Sequence, residues 1–445
     1  MADGDFGDGD SRGRAHPVPG GRVARLLRLG GMATGVLGDM AAQGLALAAR
    51  GERPRLPAIL LTPQTAQRVA RDLGRMRGAA MKLGQMLSLD EGLVLPPEMT
   101  AILAALREDA PPMPPAQLRA ALDAAWGPGW MRRFARFDVR PFAAASIGQV
   151  HRARTRDGRD LAIKVQYPGV RASIDADVDN VAALLRLPGL VPREMDLGPM
   201  LAEAKRQLHR EADYAAEARH LQAFRDLLAG SDDFLLPELH PDLCAERVLA
   251  MSFVESQPIA ALAEAPQAAR DRAAAALVGL VLRELFEFRL MQTDPNLANY
   301  RFDPASGRIV LLDFGAAMAV EPGLAADFRR LLGAALDRDR AATAATMQAI
   351  GYFDAATAPR HREAIAAMFE AAAEPLRTAR PFDFGASDLP ERLRDMGLAM
   401  AGARDLTHVP PPATMFLHRK IGGIYLLAAK LRARVALRPL LEPWR

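Results

Sequence analysis

The residues best suited to chemistry lie in two short motifs, Asp294–Asn299 and Asp313-Phe314-Gly315, with a predicted strand between them. An aspartate and an asparagine five residues apart, followed by a second aspartate after a hairpin, form the pattern of a phosphoryl-transfer loop. The first aspartate of that pattern accepts a proton or orients the nucleophile, and the other two residues hold magnesium. Two oxygen ligands for a hard cation must converge from neighbouring loops, which the spacing allows. Ordinary turn chemistry is the alternative, but the motifs contain two of the chain's three asparagines.

Lysine is scarce in this chain, and each lysine is therefore informative. Only five of the 57 basic residues are lysines, so arginine serves wherever a generic positive charge suffices. Because an ammonium and a planar guanidinium are not interchangeable, a retained lysine indicates a position where chemistry forbids the exchange. Lys164 lies in an apolar run that is typical of a buried strand, where an unpaired charge is costly. In a kinase such a lysine pairs with a helical acid and reaches nucleotide phosphates.

A single long helix, predicted over residues 198–228, offers the acidic partners. Asp213 and Glu217 share one face at i,i+4 spacing, whereas Glu211 points in roughly the opposite direction from Asp213. One face can therefore serve the strand lysine, and the acidic pair on the other face suggests a second cation. A solvated acidic face is the alternative interpretation.

Two further segments could contribute to the same chemistry. Lys82 and Gln85, in Lys82-Leu-Gly-Gln85, share a helical face, and this lysine is the candidate for the second cation. The segment Ala143-Ala-Ala-Ser-Ile-Gly-Gln149 precedes the lysine strand, where a kinase has a Gly-rich phosphate loop. Alanine permits fewer backbone conformations than glycine, so we expect this loop to hold phosphates differently.

Shifts in composition and periodicity divide the chain into four segments. A hairpin is predicted from Gln149–Ala153 and Leu161–Gln166, a strand pair within 233–255, and a buried strand at Arg308–Leu312. The remaining patterns are mostly helical. The segments are a disordered tail at 1–20, a helical extension at 21–125, a sheet-containing region at 126–255 and a mostly helical region at 256–445.

Composition excludes several classes of protein. Half of the residues are hydrophobic and a quarter charged, a balance typical of a globular chain, and Cys244 alone cannot form an intramolecular disulfide. A net charge of +4 does not require nucleic acid. Residues 21–90 contain eleven Arg or Lys against four Asp or Glu, a bias that favours an anionic membrane or simply a solvated helix. The apolar stripe at 416–435 predicts core packing or, alternatively, a helix lying on a membrane.

Taken together, the motifs closely resemble those of the UbiB/ADCK family of atypical kinase-like proteins, which support coenzyme Q (ubiquinone) biosynthesis. The resemblance extends from about residue 65 to the C-terminus, and 291–296 and 417–423 look most like the mitochondrial branch and its proteobacterial relatives. Two positions depart from many members: Thr293 replaces an alanine and Asn296 a histidine. The matching motifs are Lys82–Gln85, Ala143–Gln149, Ala162–Pro168, Glu211-Ala-Asp-Tyr214 with Glu217, Asp294–Asn299 and Leu312–Gly315.

The resemblance implies an α+β, bilobal protein-kinase-like fold with an N-terminal helical extension, the lobes being 126–255 and 256–445. It assigns Lys164 and Glu211 as the nucleotide-positioning pair, Asp294 as the catalytic-loop aspartate, and Asn299 and Asp313 as metal ligands. The extension is expected to cover the active site. The further residues expected at the nucleotide site are Ala143, Ala144, Ala145, Ser146, Glu217, Lys82 and Gln85.

The implied function is that of a magnesium-dependent ATPase or atypical kinase supporting ubiquinone biosynthesis at a membrane surface. The cofactors are ATP and Mg²⁺. Expected partners are ATP or ADP, anionic lipids, quinone precursors and ubiquinone biosynthesis enzymes, with a homodimer left open and no nucleic acid. Two alternatives are a nucleotide-gated lipid-binding chaperone or scaffold, and a true protein or small-molecule kinase. Because the acidic 1–20 segment is unlike a transit peptide, we expect a bacterial cytoplasmic location, peripheral to the inner membrane.

Overall fold

The computed structural model describes residues 112–185, 198–294, 296–401, 408 and 410–445. The tail predicted at 1–20 and most of the helical extension, including Lys82 and Gln85, lie outside the described residues. The described part divides into two compact units. The first contains the residues up to Ala218 together with Glu238–Phe253, and the second contains Arg219–Pro237 and Val254–Arg445.

The first half of the described chain mixes strands and helices, and helices dominate the second half. The helices are α1 (Pro115–Trp126), α2 (Val170–Leu185), α3 (Gly198–Glu211), α4 (Tyr214–Leu227), α5 (Gln267–Arg283), α6 (Pro322–Asp337), α7 (Arg340–Ile350), α8 (Pro359–Ala373), α9 (Leu389–Ala401), α10 (Pro412–Lys430) and α11 (Leu437–Leu441). The strands are β1 (Phe134–Phe137), β2 (Ala143–Ala145), β3 (Gly148–Thr155), β4 (Asp160–Gln166), β5 (Phe234–Leu235), β6 (Val248–Ser252), β7 (Gln257–Pro258), β8 (Leu290–Gln292), β9 (Tyr300–Asp303), β10 (Arg308–Leu311), β11 (Ala317–Ala319), β12 (Phe382–Asp383) and β13 (Arg434–Val435).

The first unit is built on an antiparallel sheet in the order β1-β3-β4-β6. The predicted hairpin is confirmed as β3 and β4, whose register runs from Gly148 opposite Gln166 to Arg154 opposite Asp160. Strands β1 and β2 both pair with β3, one at each end of it. The outer edge of β6 is bonded to the chain before it, where Ser252 N–H donates to the Glu238 carbonyl at 2.8 Å. Both β4 and β6 are buried along almost their whole length.

Two strands are found within 233–255 as predicted, but they do not pair with each other. Strand β5 pairs in parallel with β10 in the second unit, and β6 pairs with β4 in the first. A run of apolar residues predicts a strand but carries no information about which distant strand will satisfy its backbone groups.

The second unit contains a four-stranded sheet in the order β5-β10-β9-β7, two short antiparallel ladders and helices α5 to α11. Strand β10 confirms the strand predicted at Arg308–Leu312, although it ends one residue earlier. Helix α10 buries one face, including Phe416, Leu417, Ile424 and Leu427, as the core-packing interpretation predicts. Within the described ranges no helix is both long and apolar enough to cross a membrane.

A chain of hydrogen bonds anchors the segment at Met113 to the sheet of the first unit. The His151 ring, which is fully buried, lies 2.8 Å from the Asp138 carbonyl through Nδ1 and 2.9 Å from Gln149 Nε2 through Nε2. Burial lowers the pKa of His151 to about 4, so the ring is neutral at pH 7. Nδ1–H therefore donates to the carbonyl and Nε2 accepts from the amide. The Gln149 Oε1 atom in turn accepts the backbone N–H of Met113 at 2.8 Å.

We expect the neutral His151 ring to make the stability of the fold depend on pH. Its pKa rises from about 4 in the folded state to 6.5 in the unfolded chain, which therefore takes up a proton first as the pH falls. The stabilisation is fully present above pH 6.5 and is lost as the pH falls towards 4. The loss amounts to about 3 kcal/mol in the free energy of unfolding, measured by urea titration at several pH values.

We expect His151→Gln to flatten the dependence of the unfolding free energy on pH between pH 6.5 and 4, because glutamine does not titrate. A wild-type slope in His151→Gln would contradict the prediction.

Candidate active site

In the first unit, the strand lysine is neutralised by a buried carboxylate. Lys164 lies on β4, and its Nζ atom is 2.7 Å and 2.9 Å from the two carboxylate oxygens of Glu217 at the start of α4. The Glu217 side chain is 2% exposed and that of Lys164 is 10% exposed. The Tyr214 ring centroid lies 5.1 Å from the same Nζ atom. A charge this deeply buried is tolerated only with such a partner, so the pair fixes the direction of the ammonium.

The structure differs from the pairing of Lys164 with Glu211 that the family resemblance implies, because it places the Glu217 carboxylate against the Lys164 ammonium. The single helix predicted over 198–228 is not found either. The helix breaks at Ala212 and Asp213, where the Asp213 carboxylate accepts the Ala216 N–H at 2.9 Å and so caps α4. An N-cap residue has a non-helical backbone, so the i,i+4 face assumed for Asp213 and Glu217 does not exist. Aspartate's preference for N-cap positions was the available signal.

Glu211 instead serves the alanine segment. Its carboxylate accepts a hydrogen bond from the Ser146 hydroxyl. Ala143, Ala144 and Ala145 form β2, which pairs with the first residues of β3. The segment is thus a strand and a tight turn whose serine is held by a buried acid.

Gly148, which follows this turn, is required by close packing. A Cβ atom at Gly148 would lie 2.4 Å from the Val165 carbonyl oxygen and 2.7 Å from the Tyr214 hydroxyl oxygen. Only glycine lets β4 and the start of α4 approach this closely. The same approach places Glu217 within reach of Lys164.

In the second unit, the Asp294–Asn299 loop follows β8 and precedes β9. Asp294 Oδ1 accepts the Asn296 N–H at 3.3 Å, and its Oδ2 atom lies 3.4 Å from Asn299 Nδ2. The Asn296 side chain accepts the Ala298 N–H at 3.1 Å and caps the 3-10 turn that carries Asn299. The asparagine that departs from many family members therefore has a defined local role.

Asp313 is brought towards this loop by the β9–β10 hairpin. Tyr300 pairs with Leu311, and Leu312 N–H donates to the Asn299 carbonyl at 3.3 Å, so Asp313 is the next residue along the chain. The Asp313 carboxylate accepts the Gly315 N–H at 3.0 Å. The hairpin thus places the residue before Asp313 against the backbone of Asn299, whose side chain contacts Asp294.

Thr293 ties the two motifs together. Its backbone N–H and its hydroxyl both donate to the Ala316 carbonyl, at 3.1 Å and 2.7 Å. The hydroxyl bond is one that the alanine found in many family members cannot make. It links the residue before Asp294 to the residue after Gly315.

The donor chemistry of this cluster fits magnesium. Asn299 directs its Nδ2 atom to Asp294, so its other side-chain atom, the carbonyl oxygen, remains as a potential ligand. Across the described ranges no group of three or more His, Cys, Asp or Glu residues could hold a metal ion by itself. Mg²⁺ does not need one, because it typically takes one or two carboxylates and completes its shell with water and phosphate oxygens.

Sequence reasoning missed the support for Asp313 from α4. The Nδ1 atom of His220 lies 3.2 Å from the Phe314 carbonyl oxygen. The buried Phe314 ring packs on Phe224 with centroids 4.9 Å apart. The helical spacing of His220 and Phe224, four residues apart, places both on one face and was the only signal in the sequence.

Comparison with known proteins agrees with this geometry. The ABC1 atypical kinase-like domain matches residues 105–347, more than half of the chain. The mitochondrial atypical kinase COQ8B of Rattus norvegicus is 36% identical over 442 residues, covering 97% of this chain and 82% of the relative. The mitochondrial atypical kinase COQ8 of Saccharomyces cerevisiae is 34% identical over 425 residues, covering 95% and 84%. The chain therefore belongs to the ABC1 atypical kinase-like family, and the UbiB/ADCK resemblance is confirmed.

Two further matches bear on length and fold. The mitochondrial atypical kinase coq-8 of Caenorhabditis elegans is 38% identical over 442 residues, which are 96% of this chain but only 57% of the relative. The solved complex of Rv3197 with erythromycin from Mycobacterium tuberculosis has a TM-score of 0.58 and 25% identity, and the match covers 85% of this chain and 95% of that chain. The expected kinase-like α+β fold is confirmed.

The expected location, the bacterial cytoplasm beside the inner membrane, is contradicted. The relatives from worm, rat, zebrafish and two yeasts are all named as mitochondrial proteins. The expectation rested on the acidic 1–20 segment, and the composition of one short segment is weaker evidence than similarity over nearly the whole chain.

We expect Glu217 and Glu211 to differ sharply in their effect on stability. Glu217→Gln removes the carboxylate facing the buried Lys164 ammonium and is expected to cost about 3–5 kcal/mol in the free energy of unfolding. Glu211→Gln keeps an acceptor for the Ser146 hydroxyl and is expected to cost about 1 kcal/mol. Urea unfolding of the two single variants measures the difference. A larger loss of unfolding free energy in Glu211→Gln than in Glu217→Gln would instead support Glu211 as the partner of Lys164.

Proposed function

We propose that the chain is a magnesium-dependent ATPase or atypical kinase that supports ubiquinone biosynthesis at a membrane surface. The observation that carries the nucleotide part is the buried Lys164–Glu217 pair. A lysine withdrawn from water and held by one carboxylate keeps a fixed direction, which suits an ammonium that must meet phosphate oxygens. Family membership supports the pathway.

The proposed roles follow the chemistry of each side chain. Lys164 binds phosphates of ATP and is oriented by Glu217. Asp294 orients the attacking group or accepts its proton, since its carboxylate is held by Asn296 N–H and faces Asn299. Asn299 and Asp313 would hold Mg²⁺, which neutralises charge on the phosphates when bound.

The alanine segment has a proposed role at the phosphates. Ala143 to Ala145 and Ser146 line the nucleotide, with Glu211 holding the serine hydroxyl. Lys82 and Gln85 remain predicted contributors from the extension. Anionic lipids, quinone precursors and ubiquinone biosynthesis enzymes are the proposed partners.

ATP turnover by the purified protein tests the activity and separates the alternatives. The assay is run with and without anionic liposomes and a phenolic mimic of a quinone precursor. Phosphate release without labelled acceptor supports an ATPase, and label on protein or on the mimic supports a kinase. Nucleotide binding that changes liposome association without turnover would favour the chaperone or scaffold and overturn the enzyme proposal.

We expect Asp313→Asn to abolish Mg²⁺-dependent binding of ATP while leaving the fold intact. A half-buried loop carboxylate contributes little to the core, but its charge is needed to hold a divalent cation. Calorimetric titration with ATP in the presence and absence of Mg²⁺ measures the change. Asp303→Asn is the matched control, because Asp303 lies in the same hairpin and accepts hydrogen bonds from its turn. Wild-type affinity for MgATP in folded Asp313→Asn would count against the metal site.

We also expect the chain, directed to mitochondria, to restore ubiquinone in Saccharomyces cerevisiae lacking its own COQ8 relative. Restoration should require Asp294 and Lys164, with Asp294→Asn and Lys164→Met lowering ubiquinone by about 100-fold or more if turnover limits synthesis. Lys205→Met is the control, because Lys205 forms a more exposed pair with Asp179. Ubiquinone is measured in lipid extracts. If Lys164→Met and Lys205→Met restored ubiquinone equally, the nucleotide site would not be needed for ubiquinone synthesis.

A further inference from the structure

A second lysine of the chain is withdrawn from water in the second unit. Lys420, on α10, is 1% exposed, and its Nζ atom lies 3.0 Å and 3.3 Å from the two carboxylate oxygens of Glu284. The same atom donates to the Tyr300 hydroxyl oxygen at 3.0 Å. Both partners are also buried. Burial disfavours the Lys420 ammonium, but the attraction of Glu284 and Tyr300 outweighs this and raises its pKa, so the cation persists.

These three residues, the Lys420–Glu284–Tyr300 cluster, hold both ends of the Asp294–Asn299 loop. Burial raises the pKa of Glu284, and the backbone N–H of Gln292, the last residue of β8 and two residues before Asp294, is close enough to the carboxylate to oppose that rise. Tyr300 is the first residue of β9 and directly follows Asn299. Glu284 therefore faces the end of the strand that leads into the loop, and it reaches the residue that follows the loop through Lys420.

The backbone around Glu284 is itself unusual. Helix α5 ends in a π-helical turn, Glu284–Phe288, and Arg289 then adopts a left-handed conformation with φ of 52°. Such turns occur mainly as single turns and often at functional sites. A positive φ is unfavourable for arginine, so the surrounding contacts must hold this geometry. Asp294, the first residue of the loop, lies five residues after Arg289.

Lysine scarcity points to the same residue. The chain uses arginine for all but five of its basic residues, yet a lysine occupies the most deeply buried cationic position described. A compact ammonium can donate to a carboxylate and a phenol at once in a space where a guanidinium would need more room and more acceptors.

We propose that the Lys420–Glu284–Tyr300 cluster positions the catalytic and metal-binding loop, with Lys420 and Tyr300 acting as positioning residues that touch neither nucleotide nor metal. That the loop is catalytic rests on the proposed function. That the cluster holds the loop in place does not depend on it. A structural ion pair would stabilise the core without controlling the loop. The two interpretations therefore differ in what happens when the pair is replaced by apolar side chains.

The test uses two variants of the full chain. Glu284→Met with Lys420→Met removes both charges together, a change that buried sites often tolerate without loss of stability. It disrupts the Lys420–Glu284–Tyr300 cluster while the side-chain volume stays similar. Tyr300→Phe leaves the ion pair and removes only the hydroxyl contact to Lys420. Glu370→Met with Arg377→Met is the control, because this pair, joined at 2.6 Å, binds neither end of the loop.

The first measurement is hydrogen exchange of the protein without ligand. We expect amides of residues 293–299 to exchange about tenfold faster in the charge-free double variant and in Tyr300→Phe than in wild type. The control should match wild type in this segment. The second measurement is the Mg²⁺ concentration that gives half-maximal ATP turnover, which we expect to rise about 10- to 100-fold, as it does when groups that orient metal ligands are removed. ATP binding without Mg²⁺ should be unchanged.

The outcomes separate this proposal from the proposed function. Wild-type exchange of 293–299 in Tyr300→Phe overturns the positioning role even if the double variant does not fold. A wild-type Mg²⁺ requirement in variants that turn over ATP also overturns it. If the variants exchange faster but the wild type neither binds nor hydrolyses ATP, the positioning role of the Lys420–Glu284–Tyr300 cluster is supported and the proposed function is refuted.

Discussion

An ammonium withdrawn from water must keep a carboxylate beside it, and this requirement governs both units of the protein. In the first unit it joins Lys164 to Glu217 and thereby joins β4 to the start of α4. In the second it joins Lys420 to Glu284 and thereby joins α10 to the end of α5. Each pair costs desolvation, and removing one partner would leave a buried charge uncompensated. Local features such as the glycine at 148 and the π-helical turn are the backbone adjustments that allow the charges to meet.

Much of the fold and of the second-unit cluster could be predicted because the relevant signals are local. The β3–β4 hairpin follows from two alternating runs and a turn, and the short spacing between Asn299 and Asp313 lets the β9–β10 hairpin bring Leu312 to the Asn299 backbone. Such patterns depend on residues within about twenty positions of one another. Family resemblance then supplied the class of fold, which the comparisons confirmed.

The failures involve contacts that are distant in sequence or depend on one backbone break. The partner of β5 lies more than 70 residues away in β10, and nothing in a two-residue strand encodes it. Glu217 was assigned to the wrong face because α3 ends at Glu211 and Asp213 caps a second helix, α4. Lys420 lies 136 residues from Glu284, so only its rarity could have marked it. The scarcity of lysine drew attention to Lys420 but gave no information about its partner, Glu284.

The sheet of the first unit also limits how copies of the chain could associate. Its two outermost strands on one side, β1 and β2, have only four and three residues. On the other side, the backbone of β6 is already bonded to the segment at Glu238–His240. Short or occupied edges are poor templates for strand addition, which protects a protein from β-type aggregation during folding. If two copies associate, helical or loop surfaces are better suited than this sheet to join them.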